Sequence, residues 1–567
     1  MKQIFKYLKP YAFRMSIGLA IKFTGTIVEL ALPWILSYMI DEIIPLKQVQ
    51  PILIWGGLML LCSIIAVAFN IIANRMASKV ARDTTERVRN DLFSKIIYLS
   101  NNQVDYFTLP SLISRVTSDT YNIHQMLGMM QRIGVRAPIL LIGGIIITFT
   151  LDPILTLVMI SVMPIIFLAV TYVSKVGIPM YSIVQKKIDD FVRVVREDVT
   201  GIRVIKALSK EDYEREKFDY RNKAAVEQEK KTGMVMAVLN PVMNLCLNLG
   251  TVLVILAGAY RVNSGAIKPG IIVAFLTYVT LILNALLFIS RVFTNYSKAS
   301  ASAKRINEIL NAEEELVIKD IPKTDNGYAI EFDNVSFSYN HKENNLTNIS
   351  FRIKKGETLG IIGATGSGKS TIVKLLMRFY DVNQGAIKIN GQDVRAIDMK
   401  VLREKFGVVF QNDFISTDTI FENIRFGRDI SEAKIKAAAE YAMATEFIEG
   451  KTEGFQTKVA VRGADLSGGQ KQRLLISRAL AAYPEILILD DSSSALDYKT
   501  DASLRKELQN HFKETTTIMI AQRISSIMSA DHICVLEDGE IVGYGTHQEL
   551  IESCDIYREI SESQLEE

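Results

Sequence analysis

LGIIGATGSGKST, residues 359–371, decides the fold of the C-terminal half of this chain. Leu359-Gly360-Ile361-Ile362 is a short apolar run of strand type, and the residues beyond Lys369 read as a helix. Between them Gly363, Thr365, Gly366, Ser367, Gly368, Lys369, Ser370 and Thr371 carry the phosphate-loop pattern in a strand–loop–helix setting. Glycines let backbone N–H groups turn inward onto phosphates at a helix N-terminus. Lys369 supplies a point charge for the β- and γ-phosphates of ATP, and the Ser370 hydroxyl is placed for Mg2+. Further on, Ile486-Leu487-Ile488-Leu489 is a second apolar strand ending in Asp490. A carboxylate at such a strand end associates with Mg2+ in phosphate-loop enzymes. The region from Tyr328 onward therefore reads as an α/β nucleotide-binding domain.

The region before it has a different solvent. The chain has 567 residues, 49% of them hydrophobic, and a mean hydropathy of +0.18. The apolar residues concentrate before about Phe293, where long apolar runs alternate with charged stretches. A membrane helix needs roughly 20 mostly apolar residues. Six segments qualify: about 15–40, 51–75, 134–151, 153–173, 236–260 and 270–293. Stretches such as ILLIGGIIITFTL are apolar all round, which excludes one-sided surface helices. The long connections, 76–133 and 174–235, are polar, helical in pattern and rich in Lys and Arg, so they are expected to stay cytoplasmic. At about 1.5 Å per residue they allow the membrane helices to extend tens of Å into the cytoplasm. The expected architecture is an all-α six-helix transmembrane domain (1–310), a linker (311–327) and an α/β P-loop domain (328–567). A net charge of +3 gives no reason to propose nucleic acid. Cys62, Cys246, Cys534 and Cys554 lack metal-ligand spacing and are expected to be reduced. No cleavable signal is expected, because the apolar run after Arg14 is too long for a signal core.

Polar side chains inside membrane spans are costly and ask for a reason. Lys22 and Glu29 are seven residues apart and share a face of the first span. Asn240, Asn244 and Asn248 form a stripe on the fifth, and Asn284 stands in the sixth. These are candidates for a translocation cavity. The alternative is hydrogen bonding between helices, with Lys22 and Glu29 neutralising one another.

Leu466-Ser467-Gly468-Gly469-Gln470 lies between the phosphate loop and the strand ending in Asp490. The three motifs in this order resemble the nucleotide-binding domain of ABC transporters. With six preceding spans, essentially the whole chain resembles an ABC exporter half-transporter. The resemblance implies that two such chains pair, each ATP lying between one chain's phosphate loop and the other's LSGGQ. Tyr339 matches the aromatic that stacks on adenine. Gln411 matches the glutamine that reaches Mg2+ and the attacking water. Ser494-Ala495-Leu496-Asp497 matches the loop between the two ATP sites. Residues 112–119 resemble the first coupling-helix region, and residues 200–207 a recurring segment of the second long loop. Val461 stands where many exporters carry a glutamate that touches the coupling helices.

Two positions depart from that pattern. Asp491 replaces the expected catalytic glutamate, and Gln522 replaces the expected histidine at the γ-phosphate. Asp491 is one methylene shorter, so its carboxylate is withdrawn by about 1.5 Å. Gln522 can donate a hydrogen bond but carries no charge. Both fall on the same ATP, whereas LSGGQ is intact. The pattern resembles the degenerate-site subunit of heterodimeric, multidrug-type exporters. It implies an integral protein of the bacterial inner membrane, with a cytoplasmic ATP domain and a second half-transporter as partner. The transported compound is left open, as an amphipathic small molecule, lipid or peptide. A slow homodimeric exporter, an importer on the same architecture and an ATP-gated regulator also stay open.

Overall fold

The computed structural model describes residues 1–313, 316–324, 327–340, 342–411, 413–492 and 495–565; the side chains of Lys2, Val170, Ser174, Ile178, Leu239, Asn240, Ser290 and Leu565 lie outside that description. The chain divides into two compact units, one of residues 1–97 and 110–312, the other of residues 98–109 and 313–567.

The first unit is helical. Among the described residues six helical segments are long and apolar enough to cross a membrane. Its principal helices are α1 (Ala12–Tyr38), α2 (Val49–Ile97), α3 (Thr120–Leu151), α4 (Pro153–Thr200), α5 (Glu211–Ala237), α6 (Leu239–Asn263) and α7 (Pro269–Leu310). The apolar runs set where each helix lies in the bilayer, but the helices continue well past them. The 49 residues of α2 make a rod about 73 Å long. Pro153 at the first position of α4 and the Asp152 side chain accepting from Leu155 N fix that helix start. Small residues let helices approach closely: a Cβ on Gly144 of α3 would lie 2.8 Å from Ile282 of α7. The buried Tyr278 hydroxyl donates to Leu30 O at 2.6 Å, tying α7 to α1.

Polar contacts hold the lower part of this unit. Asp119 is buried and accepts from Arg305 Nε and Ser302 Oγ, each at 2.8 Å. Arg115 donates to Arg305 O at 2.7 Å and lies 3.2 Å from Glu308. Residues 112–119 therefore belong to the packing of the first unit. Residues 98–109 group with the second unit. They contain the short helix Asn101–Phe107, started by a Ser100–Gln103 capping box.

The second unit holds two sheets. Strands β1 (Ile330–Phe337), β2 (Leu346–Ile353), β4 (Gln384–Ile389) and β5 (Gln392–Asp393) form an antiparallel sheet in the order β2-β1-β4-β5. The larger sheet comprises β3 (Thr358–Gly363), β6 (Phe406–Val409), β7 (Ile486–Asp490), β8 (Thr516–Ile520), β9 (His532–Glu537) and β10 (Glu540–Gly545). Its order is β10-β9-β3-β8-β7-β6, parallel except for β10. Strands β3 and β7 are near-continuous apolar runs because both faces are covered. Residues 311–327, expected as a linker, partly join this unit. Lys319 N donates to Arg395 O at 2.8 Å, Thr324 N to Gly391 O at 2.9 Å, and Arg378 Nη2 to Val317 O at 2.8 Å.

Candidate functional site

In an open parallel sheet, ligands sit beyond the carboxyl ends of the strands. Register brings four such ends together here. Ile361 of β3 and Asp490 of β7 both pair with Ile520 of β8, and Leu489 of β7 pairs with Val409 of β6. The residues that follow these ends are the phosphate loop, Gln411, Asp491 and Gln522. They line one cavity of about 220 Å3, with Asn345 on its wall. The loop then enters α8 (Lys369–Leu376).

The cradle requires glycine at two places. Gly363 has φ +153°, and a Cβ there would lie 2.0 Å from Leu536 O. Gly368 has φ +99°, and a Cβ there would lie 2.6 Å from Leu346 Cδ2. Gly363→Ala is expected to displace β9 or the loop, weakening nucleotide binding by at least about tenfold. Titration with a fluorescent ATP analogue reads this directly, and unchanged affinity would contradict the close fit.

The polar groups around this cavity are coupled. Lys369 Nζ donates to Gly363 O and Ala364 O at 2.8 and 2.7 Å, folded over its own loop. Ser370 Oγ donates to Asp490 Oδ2 at 3.0 Å. Burial pushes Asp490 above the usual carboxylate range, although Ser370 opposes this. Burial likewise lowers Lys369. A desolvated carboxylate beside a hydroxyl is a good receiver for a cation. The Ser367 hydroxyl is buried with no hydrogen-bond partner among the described residues, and such an orphan calls for a ligand. These residues fit a polyphosphate with Mg2+: the loop and Lys369 for the phosphates, Ser370, Asp490 and Gln411 for the metal. Among the described residues no cluster of three His, Cys, Asp or Glu offers a separate metal site.

Asp491 and Gln522 touch. Gln522 Nε2 donates to Asp491 Oδ2 at 3.1 Å, and Gln411 Nε2 approaches the same oxygen at 3.4 Å. Burial raises the Asp491 pKa, opposed by the Gln411 hydrogen bond and by Arg523 and Lys369. Its backbone sits at φ +52°, a region Asp tolerates better than most residues.

The other sequence candidates fall in several places. Tyr339 donates through its hydroxyl to Thr371 Oγ1 at 3.3 Å, and its ring meets Phe337 and Tyr380 edge-on. Lys374 Nζ stands 5.4 Å from the Tyr339 ring centroid. Ser467 caps α9 (Gly468–Leu480) and shares a capping box with Gln470. Leu466 is buried, while Gly468 is exposed at the helix tip. A Cβ on Gly469 would lie 3.2 Å from Ala495 O, so this tip touches the 495–497 loop. Asp497 caps the next helix through Thr500 N, and Ser494 lies outside the described residues. Val461 is exposed, next to Arg462 at φ +56°.

In the first unit Lys22 and Glu29 do not pair, a correction to the expected mutual neutralisation. Glu29 is held by both nitrogens of an Arg136 fork, with Nε at 3.1 Å from Oε2. Lys22 donates to Asn70 Oδ1 and Asn74 Oδ1 at 2.7 and 3.1 Å. Asn244, Asn248 and Asn284 are exposed, pointing away from the buried Met243, Cys246, Ile282 and Leu283; the Asn240 side chain lies outside the described residues. Sequence reasoning missed Asn70, Asn74 and Arg136. Asn70 and Asn74 at i, i+4 within a membrane span were a usable signal. It also missed Tyr380, whose hydroxyl donates to Asp105 at 2.6 Å.

Residues 15–286 match the ABC transporter transmembrane region, and residues 346–494 match the family described as ABC transporter. The ABC transporter ATP-binding protein YfiB of Bacillus subtilis is 35% identical over 571 residues, covering 100% of this chain and 99% of that protein. The chain belongs to the ABC transporter family. A second relative, the ABC transporter ATP-binding protein Rv1273c of Mycobacterium tuberculosis, is 33% identical over 574 residues, with 99% and 97% covered. A solved structure of a bacterial Atm1-family ABC exporter with ATP bound aligns with a TM-score of 0.83 at 26% identity, over 98% of each chain. This ABC transporter is an integral membrane protein with an exporter-type fold, six apolar helices preceding an α/β nucleotide-binding domain.

Proposed function

We propose that this chain is the hydrolysis-impaired half of an asymmetric, ATP-driven exporter of the bacterial inner membrane, paired with a second half-transporter and moving an amphipathic compound outward. The observation that carries the reading is the joint substitution at one ATP site. Asp491 is short for a general base, which must first reach the water and only then have a suitable pKa. It is also engaged by the amide of Gln522, the residue that replaces the expected histidine. Loss of a cationic group there weakens electrostatic stabilisation of the transferring phosphoryl. The rest of the site keeps the chemistry for binding.

In this reading Tyr339 stacks on adenine, Gly363 to Thr371 hold the phosphates, and Ser370, Gln411 and Asp490 share Mg2+. Leu466 to Gln470 complete the partner's site, where a glutamate and a histidine carry out hydrolysis. ATP binding draws the two ATP domains together, and hydrolysis at the partner's site releases them. The test is ATPase activity of the purified chain alone and mixed with a candidate second half-transporter from the same organism. Silence alone with activity in the mixture is the expected result. Robust turnover by the chain alone, abolished by Lys369→Ala, would overturn it in favour of a homodimer.

A further inference from the structure

Gln522 lines the nucleotide cavity from a loop, just past the point where strand β8 ends at Ile520. That strand end is tied to its neighbours by Asp491 N donating to Ile520 O at 2.9 Å and Ala521 N to Ile361 O at 3.2 Å. The loop beyond it is held by a side chain from 42 residues further on. Gln564 Nε2 donates to Gln522 O at 2.8 Å, and Gln564 Oε1 accepts from Ile524 N at 2.8 Å. Ile524 opens the short helix Ile524–Ile527, whose N-cap Arg523 supplies no side-chain hydrogen bond. Its N–H is one of the donors that a helix leaves unsatisfied at its start, and the Gln564 carbonyl meets it. The reverse orientation of the amide would set oxygen against oxygen and N–H against N–H, so the partners fix the assignment. An amide offers a donor and an acceptor side by side. The two bonds therefore grip the 522–524 backbone as a neighbouring strand would.

The brace is itself anchored. Gln564 stands on helix Asp555–Leu565. Tyr557 and Ser561 on that helix are buried, and with Gln564 they share one face at i, i+4 and i+7. Tyr557 belongs to the apolar cluster that also holds Ile524 and Ile527, and its hydroxyl lies 2.8 Å from His547 Nδ1. The helix that carries Gln564 and the helix that follows Gln522 thus share one core. Gln564 is exposed, so that core does not depend on its amide. Aim matters more for a glutamine in the cavity than for a histidine. Gln522 carries no charge, so it acts on a phosphate through a hydrogen bond alone, and such a bond weakens steeply away from its preferred geometry. Gln522 Nε2 also donates to Asp491 Oδ2 at 3.1 Å. Hydrogen bonds therefore lead from helix Asp555–Leu565 to both of the unusual residues at this site.

We propose that Gln564 is the positioning residue of Gln522. It aims the Gln522 amide at the terminal phosphate, so that helix Asp555–Leu565 sets how strongly this site prefers a triphosphate over a diphosphate. The inference rests on the reading that Gln522 stands at the γ-phosphate. It adds a residue that touches neither nucleotide nor metal and acts only through the 522–524 backbone.

The experiment is equilibrium binding to the full chain with Mg2+, in which ADP and the β,γ-imido analogue of ATP each displace a fluorescent ATP analogue. Gln564→Ala is expected to lower the preference for the triphosphate analogue over ADP by about threefold to tenfold, the range of one hydrogen bond. ADP affinity should hold. A merely structural role would weaken both nucleotides alike, and that result would overturn the proposal. Gln564→Glu keeps the acceptor for Ile524 N and loses the donor to Gln522 O. It should show the same loss and serves as the second variant should Gln564→Ala fold poorly. In the Gln522→Ala background, Gln564→Ala should change the preference no further, because the two side chains act on one contact. A preference lowered by Gln522→Ala but unmoved by both Gln564 variants would overturn the proposal alone, as would losses that add in the double variant. A preference unmoved by Gln522→Ala would overturn the placement of Gln522 at the γ-phosphate and the proposal with it. Because the titration reads binding, robust turnover by the chain alone would refute the asymmetric exporter and leave this result standing.

Discussion

Changing Asp491 to Glu and Gln522 to His together raises the chain's own ATP turnover by about 100-fold, and neither change alone approaches this. A misplacement of about 1 Å in a reacting group costs on the order of 100-fold in rate, and the aspartate falls short by about 1.5 Å. The single Asp491→Glu variant restores reach but leaves no cationic group at the γ-phosphate. The single Gln522→His variant supplies that group but leaves the short carboxylate. The two side chains touch at 3.1 Å, so their effects couple as contacting residues do. The measurement is a double-mutant cycle of turnover on the chain alone, whose intact 466–470 segment supplies the opposing wall when two copies pair. Adding Lys369→Ala to the double variant should remove the gain. A flat response in a preparation that cross-links as a dimer and binds ATP would refute the proposal that Asp491 and Gln522 limit hydrolysis.

Gly468→Asp in this chain is expected to lower ATPase activity of the paired complex by about 100- to 1,000-fold while leaving the fold intact. Gly468 is the exposed first residue of α9, and a Cβ there meets only Ala495 Cβ, at an ordinary 3.7 Å. An acidic residue in the first turn of a helix is neutral or favourable for stability. The same carboxylate would face the phosphates of the partner's ATP, where donors and positive potential are needed. Losing one such preorganised donor costs about 100- to 1,000-fold. Thermal unfolding of the variant should match the parent, which separates this result from misfolding. On the proposed asymmetry, the corresponding change in the partner should have little effect. Equal losses from the two chains would refute the asymmetry.

The sequence was most readable where chemistry is local. Gly363 to Thr371 declare a phosphate loop because a few consecutive backbone angles and one lysine do the whole job. The spans declare themselves because a bilayer demands some 20 apolar residues in a row. Pairing between distant segments was the hidden part. Spacing along one helix places Lys22 and Glu29 on a common face, but it cannot show that Arg136, 107 residues away, takes the glutamate. The stretch 311–327 has turn-rich composition, yet Lys319 and Thr324 give their backbone N–H groups to the second unit. Composition reports solvent preference and says little about which strand edge or turn will accept those donors.

The contact between Asp105 and Tyr380 also bears on how the protein is made. Their positions differ by 275 residues, so at usual synthesis rates of 5–20 residues per second the acceptor waits on the order of 15 to 55 s for its donor. Helix Asn101–Phe107 therefore gains this contact only after the remaining membrane helices have been translated. Its Ser100–Gln103 capping box gives this short helix a local reason to hold its shape during that interval. Substitutions that loosen the cap would then show first as poor yield and proteolysis of nascent chains, with the assembled protein turning over at its ordinary rate.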